Sequence, residues 1–128
     1  MFEIEYYKKP DGSEPMREHL KSLNSKLRVK VLRNLLILET VGDRLRYPET
    51  DNLGDGIFEL RTIFGKDIER AFFFFLDGRK IIVTHGYIKK SQKASLREIN
   101  RAKDYRQDYY RQRKQEGSNN DNSEGTYR

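Results

Sequence analysis

The chain contains no cysteine among its 128 residues. A disulfide framework, a thiolate nucleophile and a zinc–thiolate centre are therefore all excluded, and the composition suits a reducing compartment. Histidine occurs only twice, at His19 and His85. Long hydrophobic runs are missing as well: nothing approaches membrane-spanning length. The opening MFEIEYYKKP has no basic segment followed by an apolar stretch, so no signal peptide is expected. These absences predict a cytoplasmic protein that makes no use of a membrane.

What is present is charge. Charged residues make up 36% of the chain against 35% hydrophobic, and the net charge is unevenly spread. Residues 1–56 balance ten basic against ten acidic side chains; residues 57–114 carry fifteen against seven, a net +8. A basic half of this kind attracts phosphate backbones or an acidic partner protein. After Lys114 the sequence reads QEGSNNDNSEGTYR, which offers almost nothing to bury. Residues 1–113 are accordingly read as one domain and 114–128 as a polar, disordered tail.

Phe2, Ile4 and Tyr6 alternate with Glu3 and Glu5, the period of a half-buried strand. Ser13 and Pro15 open a helix with Met16, Leu20 and Leu23 on one stripe. Ser25 opens a longer helix with Leu27, Val31, Leu35 and Leu38 at core spacing, ending near Gly42. Residues 42–56 form a long connection. The period then changes to two in IFELRTI (57–63), DIERAFFFFL (67–76) and KIIVTHGYI (80–88), separated by the turn dipeptides Gly65-Lys66 and Asp77-Gly78. Ser95-Leu96-Arg97-Glu98 reads as a capping box before a last helix. The order β-α-α-β-β-β-α predicts an α+β domain: an antiparallel sheet with a helical hairpin on one face and a C-terminal helix.

Two-residue turns fix registers. With Gly65-Lys66 as such a turn, Arg61 lies directly opposite Arg70; with Asp77-Gly78 as another, Arg70 lies opposite His85. The three side chains then form a row on one face. By the same parity Phe58, Leu60, Ala71, Phe73 and Phe75 face the helices, while Phe72 and Phe74 share the arginine side. Two opposed arginines need a negative group between them. Either Glu59, Glu69 or Glu98 neutralises them in a buried salt-bridge cluster, or the pair clamps a phosphate. Lys89, Lys90 and Lys93, beside the start of the last helix, form a second candidate phosphate site. His85, next to the arginines, is expected to be neutral at pH 7.

Gly56 to Arg61 (GIFELR), Glu69 to Phe75 (ERAFFFF), His85 to Lys93 (HGYIKKSQK) and Arg97 to Ala102 (REINRA) resemble the RelE/ParE toxin superfamily, and within it the HigB-like, phage-derived branch. The likeness runs from about residue 2 to 110. It implies a RelE-like fold and a type II toxin that cleaves messenger RNA on the ribosome without a metal or other cofactor. The partners implied are the ribosome, messenger RNA and a cognate antitoxin, usually with a helix-turn-helix domain, through which alone operator DNA is reached. Arg70 matches the position where RelE-like nucleases hold the scissile phosphate, and Arg61 the basic residue closing the ELR block. Where RelE places a tyrosine as general base, this chain reads Ser-Leu-Arg-Glu-Ile, leaving Glu98 or His85 as proton acceptor, or an enzyme that relies mainly on charge stabilisation. Arg61, Arg70, His85 and Glu98 are thus the candidate catalytic set. Lys89, Lys90, Lys93, Arg97, Phe72 and Tyr87 are the candidate RNA- or ribosome-binding set, with Phe72 or Tyr87 stacking a base. On this reading Arg70→Ala nearly abolishes toxicity and leaves the fold intact. A ParE-like poison of DNA gyrase that cuts nothing, and a non-catalytic basic module docking an acidic partner, are the alternatives.

Overall fold

The computed structural model describes the backbone of residues 1–89 and 93–127, with side chains as far as Gly117. The elements are β1 (Glu3–Tyr6), α1 (Pro15–Ser22), α2 (Ser25–Val41), β2 (Thr50–Asn52), β3 (Phe58–Phe64), β4 (Asp67–Leu76), β5 (Lys80–Lys89) and α3 (Leu96–Tyr127). They build the expected α+β architecture around one five-stranded sheet of order β1-β5-β4-β3-β2. β1 runs parallel to β5, so the sheet is mixed. β2 emerges from the 42–56 connection, where three polar residues carry no strand period; it is held because Thr50 is buried opposite Leu60 and Arg61 N donates to Glu49 O at 2.8 Å. No helix among the described residues is long and apolar enough to cross a membrane.

Both faces of the sheet are covered, each by its own core. Met16, Leu20 and Leu23 from the α1 side and Leu27, Val31, Leu35 and Leu38 from α2 pack on Leu60, Ala71, Phe73, Ile81 and Val83. On the opposite face Ala102 and Tyr109 of α3 pack on Ile57, Phe72, Phe74, Leu76 and Ile82. Alternation along β4 therefore divides its four phenylalanines between two cores. The caps differ from expectation in detail: Asn24, not Ser25, accepts from Leu27 N at α2, and α1 starts at Pro15 without a side-chain cap.

The first hairpin has the predicted register, Phe64↔Asp67 and Arg61↔Arg70, around Gly65 at φ 62°. The second does not. Leu76 pairs with Lys80, which makes a three-residue turn with Asp77 and Gly78 both at positive φ, and Thr84 is bulged out between Phe72↔His85 and Phe73↔Val83. Arg70 consequently lies opposite Tyr87, and His85 lies opposite Phe72. The turn and the bulge each shift the pairing by one residue, so parity is restored beyond Thr84. His85 stays on the arginine face, one pair along from where the simple turn would put it.

Candidate functional site

The α3 face of the sheet gathers the polar residues. Arg61 and Arg70 are side by side on β3 and β4, and Glu59, two residues before Arg61, projects to the same face. Arg70 Nη1 donates to Glu59 Oε1 at 2.7 Å, and Arg61 Nε lies 3.7 Å from the same oxygen. Of the two arrangements the sequence allowed, the buried salt-bridge cluster is the one adopted. Arg70 is 0% exposed, Glu59 1% and Arg61 7%. The second Glu59 oxygen, Oε2, is buried with no hydrogen-bond partner among the described residues. Burial raises the Glu59 carboxyl above its ordinary range, and the Arg70 and Arg61 guanidiniums offset part of that rise. The Arg61 guanidinium lies 5.6 Å from the ring centre of Tyr47, a largely exposed side chain of the 42–56 connection.

His85 is buried on the same face between Phe72, 5.0 Å between ring centres, and Tyr105, at 5.4 Å. Its Nδ1 is 3.1 Å from Thr84 Oγ1, and its Nε2 is 3.4 Å from Glu98 Oε1. Burial, then the positive charge of Arg101 and His19, lowers its pKa to about 3. The imidazole is neutral at pH 7, as expected, but burial rather than the Arg61–Arg70 pair is the main cause. An imidazole that weakly basic is a poor proton acceptor. Glu98 lies 3.2 Å from Arg101 Nη1, and 15% of its side chain is exposed.

Tyr87 stacks on Phe72 at 5.7 Å and accepts a 2.7 Å hydrogen bond from Ser95 N, which ties the start of α3 to β5. Phe72 is 0% exposed under α3 and has no free face on which a base could stack. Lys89 ends β5 opposite Ile68, while Lys93 and Arg97 are exposed on either side of Ser95. The candidate Lys90 lies outside the described residues. Among the described residues no group of His, Asp and Glu side chains is placed to hold a metal ion. A groove of about 760 Å³ lies away from this cluster, beside Ile4, Tyr6, Leu36 and Tyr109, and includes none of the candidate residues.

A second polar pair lies on the other face. His19 Nε2 of α1 is 2.7 Å from Glu69 Oε2, and Glu69 is fully buried with its carboxyl raised by that burial. The strand parity held the clue: Glu69 shares the odd positions of Ala71 and Phe73, so a carboxylate was bound for the apolar face and had to find a partner there. Gly86 accommodates the pair. A Cβ at that position would stand 2.5 Å from His19 Cδ2 and 3.0 Å from Glu69 Oε2.

Residues 18–107 match the family described as phage derived protein Gp49-like (DUF891). No curated protein matches the chain.

Proposed function

The chain belongs to the phage-derived Gp49-like family, within the RelE/Gp49 toxin superfamily, and from that premise we propose that it is the toxin of a type II toxin–antitoxin pair and a ribosome-dependent messenger-RNA endonuclease of HigB-like type. The family is associated with nuclease-like toxins. The observation that carries the proposal is the pairing of Arg61 with Arg70 on the α3 face of the sheet, the face on which Glu98 of α3 meets His85.

In this reaction the substrate's own 2′-oxygen attacks the adjacent phosphorus. Its proton passes to an acceptor as the 2′-O–P bond forms. The P–O5′ bond then breaks, leaving a 2′,3′-cyclic phosphate and a 5′-hydroxyl that takes up a proton. Glu98 is the acceptor. Arg61 and Arg70 stabilise the charge that builds on the phosphorane oxygens. The exposed Lys93 and Arg97 hold the flanking backbone, and Lys89 lies beside them. The cognate antitoxin, carrying a helix-turn-helix, neutralises the protein in the cytoplasm and provides its only route to operator DNA.

A ParE-like gyrase poison is favoured by one observation: Arg70 is wholly buried against Glu59. Inducing the wild type and Glu98→Gln in a sensitive bacterial host and mapping message 5′ ends separates the two. In-frame cuts on translated messages, reduced about 10²-fold or more in Glu98→Gln, establish the nuclease. Growth arrest without new 5′ ends removes it in favour of gyrase.

A further inference from the structure

Phe72 is enclosed under α3, and Tyr87 has its ring stacked on Phe72, so the two stacking candidates read from the sequence are occupied with each other. Another aromatic ring, beside Arg61, is left in solvent. We propose that Tyr47 is the platform on which one base of a single-stranded RNA stacks. The inference rests on the RNA-binding role proposed above and names a base contact for it.

Three observations carry the platform. First, Tyr47 is 67% exposed. The other exposed aromatic side chain among the described residues, Tyr110 at 46%, packs edge-on against Phe74 and Tyr109. Second, the Tyr47 ring is supported on one side. The Arg61 guanidinium lies over it, 5.6 Å from the ring centre, and Arg61 is itself 7% exposed and carried by β3. With two-thirds of its surface free, the ring keeps its other face for a base, and every base has a π-face to place there. Third, the segment around the ring is tied down. Thr50 N donates to Arg46 O at 3.1 Å, Thr50 Oγ1 to Leu45 O at 2.9 Å and Arg61 N to Glu49 O at 2.8 Å. Tyr47 therefore stands in a turn closed by residues 46 and 50, and little ordering remains to be done when a base arrives. Charge is not what this turn offers. The exposed Arg44 and Arg46 are matched by Asp43, Glu49 and Asp51 nearby in the chain, and Arg46 already donates to Asp43 O. The ring gives a nucleotide a contact that a bare phosphate cannot use.

Calorimetry on the full chain at low salt, with two probes, tests the platform: hexa-adenylate, and tripolyphosphate, which has the charge and no base. Tyr47→Leu should bind hexa-adenylate about fivefold more weakly than the wild type, or worse. Tyr47→Phe should bind it like the wild type, and the response to tripolyphosphate should be the same in all three proteins. Undiminished hexa-adenylate binding by Tyr47→Leu overturns the proposal. So do an equal loss toward tripolyphosphate, a Tyr47→Phe as weak as Tyr47→Leu, or a wild type that does not bind hexa-adenylate. Should Tyr47→Leu not fold, the Tyr47 ring-proton resonances of the wild type are followed instead. An upfield shift with hexa-adenylate that tripolyphosphate does not produce supports stacking; no such shift refutes it. Message cleavage by the wild type in a translation extract is scored separately. Binding that depends on Tyr47 without cleavage leaves the platform standing and removes the nuclease role; cleavage without that dependence does the reverse.

Discussion

Arg70 shows how burial changes what a substitution tests. The guanidinium is fully enclosed and donates to a carboxylate that is itself 1% exposed, so Arg70→Ala leaves a buried negative charge without its nearest partner. Such a loss costs about 3–5 kcal/mol. Urea unfolding should show that decrease, and Glu59→Leu/Arg70→Leu should recover part of it because the orphaned carboxylate is removed together with its partner. The sequence-based expectation that Arg70→Ala spares the fold is therefore corrected. His85 makes the second residue-scale prediction. Its pKa falls to about 3 in the folded protein from an ordinary 6.5, so between these values the unfolded chain binds a proton that the folded one excludes. The stability due to the neutral, buried ring is fully present above about pH 6.5 and is lost as pH falls toward 3, at up to about 1.4 kcal/mol per pH unit. Comparing unfolding free energies at pH 7 and pH 4 should show His85→Phe losing less than the wild type; equal losses would remove His85 as the cause.

At the scale of elements, α3 is joined to the sheet by particular contacts as well as apolar area. The Ser95 N to Tyr87 hydroxyl bond spans the β5–α3 connection at its helix end. Tyr87→Phe removes the acceptor and keeps the stack on Phe72. We expect a loss of about 0.5–1.5 kcal/mol and faster hydrogen exchange at the Ser95 amide and the first turn of α3, with α1 and α2 unchanged. A uniform rise in exchange would mean that the bond supports the whole fold. The bulge at Thr84 also belongs to this scale: it moves His85 out of the arginine row and sets it against Phe72 and Glu98. Hairpin arithmetic from a turn dipeptide cannot include such a residue, because nothing in the alternation of KIIVTHGYI marks Thr84 as extra.

For the molecule as a whole, the sheet is the shared wall of two cores. α1 and α2 close one side and α3 the other. Removing residues 96–128 exposes Phe72, Phe74, Ile57 and Ile82. The remaining chain should lose its near-ultraviolet circular dichroism and bind a hydrophobic dye, although the first core keeps all its side chains. A shortened chain that still unfolds cooperatively would mean that the α1–α2 side is stable alone.

By itself the sequence determined the order of every element but β2, the split of the phenylalanines and the opposition of Arg61 to Arg70. They follow from apolar periodicity, of two in the strands and 3.6 in the helices, and from a two-residue turn, which are local properties of the chain. It also showed that the arginines need a negative group, either a bound phosphate or one of three carboxylates, Glu59 among them. Only the tertiary structure decided which carboxylate that is, because Glu59, Glu69 and Glu98 are told apart by the face and helix they reach. Glu69 turns to His19 of α1, Glu98 arrives on α3 beside His85, and Glu59 alone remains for Arg70. The parallel partner of β1, the strand within 42–56 and the burial that holds His85 neutral were decided there as well. Each depends on contacts between segments far apart in the chain, which local periodicity does not encode.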